Sequence, residues 1–161
     1  MALAYFRSPL GIIAISGNHS KISFIQFVDE FQDQPSPEVP TEVQKCLDQL
    51  AQYFAGVIRE FKINIIPEGT SFQKKVWQAL LQIKYGRTLS YLQLANQVGD
   101  EKAIRAVGKA NGKNPLAIVI PCHRVVGQNG ELIGYAGGID KKQWLLNHEK
   151  AIMPNKQLTL F

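Results

Sequence analysis

The chain has 161 residues, 45% hydrophobic and 19% charged, which is typical of a globular protein and excludes extensive disorder. Its longest apolar run, Leu116–Cys122, contains a proline and is far shorter than the roughly 20 residues of a membrane-spanning helix. Two cysteines are too few for a disulfide scaffold, and the first residues lack the features of a secretory signal. We therefore expect a protein of a reducing compartment, the cytoplasm.

The net charge of +5 is unevenly distributed along the chain. Residues 1–66 have a balance of −2, whereas residues 67–161 have a balance of +7. A basic second half suggests that one lobe binds a polyanion, although a basic surface without a partner fits the charge equally well.

The first third of the chain predicts a small β-lobe with one helix. Three short β-rich runs, separated by turn residues, come first: residues 4–6, 12–16 and 22–27. Thr41–Gln44 has the pattern of a capping box and predicts the start of an amphipathic helix that Gly56 ends. Phe61–Ile66 is a candidate strand, and Pro67–Gly69 marks the expected lobe boundary.

The second half is predicted to be mostly helical. Capping boxes at Thr70–Gln73 and Ser90–Gln93 each predict the start of a helix, and Asp100 is placed to cap a third that ends near Gly112. The inward stripe of the first of these helices is predicted to be Phe72, Val76, Leu80 and Ile83. The remaining predictions are a buried strand at Leu116–Ile120, a tight turn at Asn129–Gly130 and a final helix from Asp140 to about Lys150.

The two helices joined by Gly99–Asp100 form a candidate helix-turn-helix. Basic residues three or four apart place one stripe on the second helix: Lys102, Arg105, Lys109 and Lys113. Ile104 and Val107 are expected to face the core, while Ala106 and Gly108 leave room for a phosphate backbone. An ordinary solvated helix face is the alternative interpretation.

Cys122 and His123 follow the predicted buried strand and are a candidate nucleophile and base. Adjacent residues in an extended chain point to opposite faces, so we expect a bridging water rather than direct contact. Glu149 or Asp140 would orient the imidazole. The alternative is that Cys122 is a buried structural thiol.

The remaining candidates for chemistry are weaker. Cys46 lies on the apolar face of the first helix and is predicted to pack in the core. His19 is expected in a turn, and His148 at a helix end. No set of side chains has the spacing of a zinc site, and no glycine loop has the form of a phosphate cradle, so we expect no metal and no cofactor.

Several motifs in order resemble those of the O6-alkylguanine-DNA alkyltransferases, also called methylated-DNA–protein-cysteine methyltransferases. Pro121–Val125 is similar to the active-site signature of that family. The other matching segments are Thr70–Trp77, Ser90–Tyr91, Arg105–Gly108, Asn114–Pro115, Gly134–Gly138 and Trp144–Glu149. The resemblance covers about residues 67–150, and the first lobe matches only in size and β character.

This resemblance implies an α+β fold and two domains with different functions, followed by a tail. Residues 1–66 would form an N-terminal α/β lobe of ribonuclease H-like type, and residues 67–150 a mostly helical DNA-binding and catalytic domain with the helix-turn-helix. Residues 151–161 would be a tail. The family repairs DNA guanines alkylated on O6, and O4-alkylthymine is a further expected substrate.

The resemblance also implies a role for each site residue. Cys122 would take the alkyl group in one irreversible step, with His123 as base through a water and Glu149 orienting it. Asn114 would hold the turn before the active site, and Tyr91 would assist protonation of the departing guanine. Arg105 would enter the base stack where the flipped nucleotide was, in a helix-turn-helix that uses the minor groove. The other predicted DNA contacts are Lys102, Lys109, Lys113, Ser90, Ala106 and Gly108, and the predicted pocket residues are Pro121, Tyr135, Ala136 and Gly137.

The chain departs from some relatives at positions that affect substrate range. Ala136 stands where some relatives carry a serine that helps to hold the guanine oxygen, and Ala117 where some carry a proline. Some relatives bind structural zinc in the first lobe, but only Cys46 and His19 are offered here, so no zinc is expected.

Two other functional classes compete with a single-use alkyltransferase. A non-catalytic protein that binds alkylated bases would lack the cysteine, which is present here. A cysteine hydrolase would turn over repeatedly and would need neither Arg105 nor the basic helix.

The last residues predict a further partner for a protein otherwise expected to be a monomer. The segment 157–161 resembles the pentapeptide by which many bacterial repair proteins dock on the sliding clamp. The residues that would make this contact are Gln157, Leu158, Leu160 and Phe161. Packing of these side chains on their own domain is the alternative.

Overall fold

A computed structural model describes residues 1–31 and 33–151, and the chain divides into two compact units. The first unit comprises Met1–Glu68 and Pro115–Ala117, and the second comprises Gly69–Asn114 and the chain from Ile118 onward. The tail residues predicted to bind a clamp lie outside the described residues. Within the described part, none of the helices combines the length and apolar character needed to cross a membrane.

The first unit is built on an antiparallel sheet of three strands in the order β1-β2-β3. The strands are β1 (Ala2–Ser8), β2 (Gly11–Gly17) and β3 (Ile22–Val28). Gly11 pairs with Ser8 across the first turn and adopts φ +105°, a conformation that favours glycine. The predicted β-rich runs therefore form adjacent strands of one sheet.

Helix α1 (Thr41–Phe54) buries Val43, Cys46 and Leu50 completely, so the predicted core position of Cys46 is confirmed. The predicted capping box at Thr41 is wrong, because the N-cap is Pro40 and has no side-chain cap. His19 Nδ1 accepts a hydrogen bond from the Thr41 backbone N–H at 3.0 Å. An imidazole from the β2–β3 turn therefore accepts from the Thr41 N–H, which the predicted capping box would have paired with the Gln44 side chain.

The predicted strand at Phe61–Ile66 is also wrong. Only Ile65 forms a bridge, with Ile22 of β3. Side chains of α1 accept the backbone donors that a second strand would use, since Lys62 N–H donates to Gln49 and Asn64 N–H to Glu42. Satisfied in this way, the segment pairs with the sheet at one point and does not extend it.

Four helices dominate the second unit. They are α2 (Ser71–Leu80), α3 (Tyr91–Val98), α4 (Ile104–Gly112) and α5 (Ile139–His148). Both predicted capping boxes, at Thr70 with Gln73 and at Ser90 with Gln93, are present. Together with the sheet-and-helix first unit, this arrangement confirms the predicted α+β fold.

The helix-turn-helix consists of α3 and α4. Gly99 ends α3 in the left-handed region, with φ +111°, and Asp100 accepts a hydrogen bond from Lys102 N–H, as predicted. A short 3₁₀ turn, Glu101–Ala103, precedes α4. Ile104 is 39% exposed rather than core-facing, because the 3₁₀ turn begins the helical segment with a different rotation from a continuous α-helix.

The predicted strand at Leu116–Ile120 is replaced by an irregular turn. Leu116 bridges to Ile25, and this short piece belongs to the first unit. Ile118 has φ +72°, which is outside the β region and rare for a β-branched residue, so a strand cannot pass through it. Its burial, at 1% exposure, explains why the sequence looks like a strand.

A two-stranded parallel ladder that the sequence did not predict connects the helix-turn-helix to the site segment. It pairs β4 (Leu89–Ser90) with β5 (Val125–Val126). The ladder places the chain just after His123 and Arg124 beside the start of α3.

Phe72, predicted to face inward from α2, is 37% exposed, whereas Val76, Leu80 and Ile83 are buried as predicted.

Candidate active site and DNA interface

Cys122 begins a 3₁₀ turn, Cys122–Arg124, immediately before β5. Its backbone N–H donates to the Ile120 carbonyl at 2.8 Å, and the residue is 7% exposed. The turn replaces the extended chain expected from the sequence. A nearly buried thiol is thus held on a short, hydrogen-bonded segment.

His123, the residue after Cys122, forms a buried pair with Glu149. His123 Nε2 lies 2.8 Å from Glu149 Oε2, and both side chains are fully buried. Glu149 is the C-cap of α5, whereas Asp140, the other carboxylate proposed to orient the imidazole, is exposed in its first turn. The second ring nitrogen, His123 Nδ1, is buried and has no hydrogen-bond partner among the described residues.

Arg124 completes the buried cluster, a role that the sequence did not predict. Its Nε donates to Glu149 Oε1 at 2.8 Å and its Nη2 to Oε2 at 3.1 Å. Its Nη1 donates to the Ile83 carbonyl at 2.6 Å. The guanidinium therefore fixes the orientation of the Glu149 carboxylate, which also contacts His123.

Burial and charge act in opposite directions on this cluster. Burial alone would raise the pKa of Glu149, but His123 and Arg124 outweigh it and hold that pKa well below its usual value. Burial, together with the charges of Arg124 and Lys142, lowers the pKa of His123 even though the neighbouring Glu149 carboxylate raises it. The resting pair is therefore a neutral imidazole beside an ionised carboxylate, which suits a base that is ready to accept a proton.

The Cys122 thiol has neighbours that partly offset the effect of burial. Burial raises its pKa, while a hydrogen bond with the Asn114 side chain and the charge of Lys142 lower it. Asn114 Nδ2 also donates to the Ile120 carbonyl at 2.7 Å. Asn114 thus contacts both the thiol and the turn that carries it, whereas burial raises the pKa of the other thiol, Cys46, to about 12.

Lys142 is a second functional candidate that the sequence did not predict. Its Nζ donates to the carbonyls of Ile133 and Gly134 at 3.2 Å, and the residue is fully buried. The Tyr91 hydroxyl donates to the same Ile133 carbonyl at 2.8 Å. Burial lowers the pKa of Lys142 to about 8, although the proximity of Cys122 opposes this shift.

The usable signal for Lys142 is its spacing. Lys142, Leu145, Leu146 and Glu149 recur at the intervals of one helix face, and all four are buried. Including Lys142 and Glu149 in the apolar stripe of this helix would have predicted that both side chains are buried.

The predicted pocket residues lie on two segments of the second unit. Pro121 precedes the nucleophile directly, and Tyr135, Ala136 and Gly137 follow the carbonyls that Lys142 binds. The Tyr135 hydroxyl is buried, which raises its pKa well above the usual value. Ala136 is exposed.

Most predicted DNA contacts lie on the exposed side of the helix-turn-helix. The exposed members are Lys102, Arg105, Ala106, Lys109 and Lys113. Gly108 is partly buried, and a Cβ built on it would lie 3.8 Å from the Tyr91 ring. Ser90 does not join this surface, because it is 3% exposed and its hydroxyl caps α3.

No group of three or more metal-binding side chains occurs within residues 1–31 and 33–151. The fold and the cluster define a helix-turn-helix protein in which a buried cysteine, histidine and glutamate lie beside α4.

The family follows from comparison with known proteins. Residues 1–67 match the ribonuclease-like domain of 6-O-methylguanine DNA methyltransferase, and residues 71–151 match its DNA-binding domain. The chain belongs to the 6-O-methylguanine DNA methyltransferase family.

Individual relatives agree over nearly their whole length. A methylated-DNA–protein-cysteine methyltransferase of Methanosarcina acetivorans is 43% identical over 153 residues, covering 92% of this chain and 98% of the relative. One from Mycobacterium tuberculosis is 44% identical over 158 residues, covering 96% and 94%. The crystal structure of M. tuberculosis OGT in complex with DNA is 41% identical, with a TM-score of 0.85 and 99% of each chain covered.

Proposed function

We propose that the protein repairs O6-methylguanine in DNA by moving the methyl group to Sγ of Cys122, once per molecule. The observation that carries this proposal is the buried Cys122–His123–Glu149 arrangement, in a chain that belongs to a family of DNA methyltransferases. O4-alkylthymine, which presents an equivalent alkyl oxygen, is proposed as a second substrate.

The reaction is a single displacement at the methyl carbon. His123 Nδ1 takes the thiol proton through a water, and the Glu149 carboxylate stabilises the imidazolium that forms. The Sγ lone pair of Cys122 forms the S–C bond while the C–O6 bond breaks and its electron pair passes to the guanine. Tyr91, whose hydroxyl donates to the Ile133 carbonyl in this structure, would turn to assist protonation of the departing base.

Asn114 and Arg124 support this step without touching the methyl group. The Asn114 hydrogen bond favours the thiolate, which is the reactive form, and Arg124 keeps Glu149 ionised. The product is a thioether, which neither His123 nor Glu149 can hydrolyse. A protein molecule that has been methylated on Cys122 therefore cannot react again.

The exposed face of the helix-turn-helix supplies DNA binding and base flipping. Lys102, Lys109 and Lys113 would neutralise phosphates, and Arg105 would occupy the gap left by the flipped nucleotide. Flipping costs a few kcal/mol, which these contacts offset. The minor groove has a degenerate donor pattern, so binding there suits a protein that searches for lesions in any sequence.

Further elements of the proposal concern organisation and partners. Residues 1–66 act as a supporting lobe and residues 67–150 as the DNA-binding and catalytic domain of a cytoplasmic monomer. Residues 157–161 dock on the bacterial sliding clamp, which would raise the effective concentration of a single-use protein near newly copied DNA.

Mass spectrometry after incubation with duplex DNA containing O6-methylguanine tests the central proposal. One methyl group is expected on the peptide containing Cys122, and Cys122→Ser should abolish transfer while DNA binding persists. The buried Cys46 is the internal control, because its raised pKa keeps it protonated. Methyl on Cys46, or several methyl groups released per protein, would contradict the proposal.

A further inference from the structure

Asn111 is a buried polar residue in the last turn of α4 to which the mechanism above gives no task. The residue is 6% exposed, and its Nδ2 donates to the Cys122 carbonyl at 3.4 Å. It shares the inner side of the helix with Val107 and Ala110, which are apolar and buried. An asparagine in this setting needs an explanation other than packing.

The hydrogen bonding of this amide is incomplete. Asn111 Oδ1 is buried and has no hydrogen-bond partner within the part of the chain that the structure describes. Burying an unpaired amide oxygen is unfavourable, so an apolar side chain would give a more stable core at this position. The donor contact with Cys122 is therefore the feature that distinguishes asparagine from leucine here.

Asn111 and Asn114 hold two successive parts of the nucleophile segment from the same end of α4. Asn114 Nδ2 donates to the Ile120 carbonyl at 2.7 Å, and Asn111 Nδ2 to the Cys122 carbonyl at 3.4 Å. The first contact is short and well made, whereas the second is at the long limit of a hydrogen bond and has room to shorten.

The same helix presents its other side to solvent. Arg105 and Lys109, predicted to contact DNA, are exposed on α4, while Asn111 reaches inward from it. One helix of nine residues thus carries both the exposed side chains predicted to contact DNA and the amide that contacts the Cys122 carbonyl.

We propose that Asn111 is a positioning residue that couples the seating of α4 on DNA to the orientation of Cys122. The inference rests on the proposed transfer to Cys122. When DNA holds α4, the contact from Asn111 to the Cys122 carbonyl tightens and fixes the direction of the Cα–Cβ bond. The thiolate is then aimed at the methyl carbon, in line with the breaking bond to O6. A free base makes no contact with the outer face of α4 and gains nothing from this coupling.

The test compares Asn111→Leu with the unmodified protein on two substrates, duplex DNA containing O6-methylguanine and the free O6-methylguanine base. Leucine has a similar volume and no donor, so the rate on DNA should fall at least about tenfold while the rate on the free base changes less than about threefold. Asn96→Leu, on the exposed side of α3, is the matched control and should alter neither rate. Equal losses on the two substrates, or no loss on DNA, would overturn the coupling.

A second variant guards against a simple effect on folding. Asn111→Asp keeps the size but loses the donor while its carboxyl group is ionised, and that charge also raises the pKa of the nearby Cys122 thiol on both substrates. The readout is therefore the ratio of the rate on DNA to the rate on the free base, which should be lowered at a pH where the carboxyl is ionised. Protonation of that carboxyl restores an O–H donor to the Cys122 carbonyl. The ratio of the rate on DNA to the rate on the free base should therefore recover as the pH falls, whereas a purely structural role predicts no change in that ratio.

The outcomes separate this inference from the proposed function. Failure of the unmodified protein to methylate Cys122 on either substrate would overturn the proposed function. Normal methylation with an unselective Asn111→Leu variant would overturn the coupling alone. DNA affinity, measured with Cys122→Ser as background, should change less than about twofold on adding Asn111→Leu, because the Asn111 amide faces inward.

Discussion

Arg124 binds both carboxylate oxygens of Glu149, at 2.8 and 3.1 Å, in a site where both side chains are nearly or fully buried. Glu149 Oε2 also pairs with His123. One carboxylate thus serves an arginine that neutralises it and an imidazole that it orients. This division explains how a buried glutamate stays ionised next to a neutral histidine.

Arg124→Met should destabilise the protein strongly. It removes both guanidinium hydrogen bonds to the buried Glu149 carboxylate, and breaking a buried pair in this way costs about 3–5 kcal/mol. Thermal unfolding should show a melting temperature lower by on the order of 10 °C. Lys84→Met, which removes an exposed cation of the same unit, should shift it by no more than a degree or two. Similar shifts for both variants would show that the pair contributes little.

The pH dependence of stability should report the same cluster. The pKa of Glu149 is lowered on folding from 4.5, so its contribution is complete above that value and is lost as the pH falls further. The pKa of His123 is lowered from 6.5, so folding also weakens below pH 6.5, where the unfolded imidazole gains a proton first.

Urea unfolding at a series of pH values measures this effect. Glu149→Gln should be less stable at pH 7 and should lose less free energy of unfolding below pH 4.5 than the unmodified protein. Asp140→Asn, at the exposed carboxylate of α5, should leave the pH profile nearly unchanged. Parallel acid limbs for Glu149→Gln and the unmodified protein would contradict the assignment.

Lys142→Met should slow transfer and move its pH profile upward. The Lys142 cation lowers the pKa of the Cys122 thiol, so its removal leaves less thiolate at neutral pH. It also releases the carbonyls of Ile133 and Gly134, which precede the predicted pocket residues. The rate on free O6-methylguanine base, followed against pH, should show a midpoint at higher pH. An unchanged midpoint with a lower plateau would mean that Lys142 only supports the loop.

Local rules predicted much of this fold because they depend on neighbouring residues. The boxes at Thr70 and Ser90 close through side chains three residues apart, and Gly99 ends α3 by its own backbone freedom. The Leu116–Ile120 strand failed because buried, β-branched composition does not reveal the left-handed backbone at Ile118. Tertiary contacts impose that conformation.

The site residues also fall into those that the sequence could predict and those that depend on tertiary contacts. The resemblance named His123 and Glu149, whose contact the structure contains. Arg124, Lys142 and Asn111 were missed because a charged or amide side chain is expected at the surface unless its partners are known. Those partners include backbone carbonyls such as those of Ile83 and Ile133, which are distant in sequence and have no residue-type signature.

Arg105→Ala should separate DNA flipping from chemistry. Arg105 is exposed on α4, so its loss should slow repair in duplex DNA far more than reaction with the free base. Lys109→Ala should instead reduce the salt dependence of duplex binding by a slope of about 0.9, as expected for one phosphate contact. Lys62→Ala, in the first unit, is the control for a general charge effect. Equal losses on both substrates would refute the role of Arg105.

Deletion of residues 157–161 should abolish binding to a bacterial sliding clamp in a titration while methyl transfer stays unchanged. The segment combines Gln157, whose amide can make polar contacts, with Leu158, Leu160 and Phe161, whose side chains suit an apolar pocket. Phe161→Ala should weaken clamp binding nearly as much as the deletion, whereas Thr159→Ala, at the position that the motif does not use, should have little effect. The competing interpretation is that these apolar side chains pack on the protein itself. In that case deletion would lower the melting temperature by several degrees, at roughly 2–4 °C per kcal/mol for a chain of this size. An unchanged melting temperature together with lost clamp binding would identify the segment as a docking peptide.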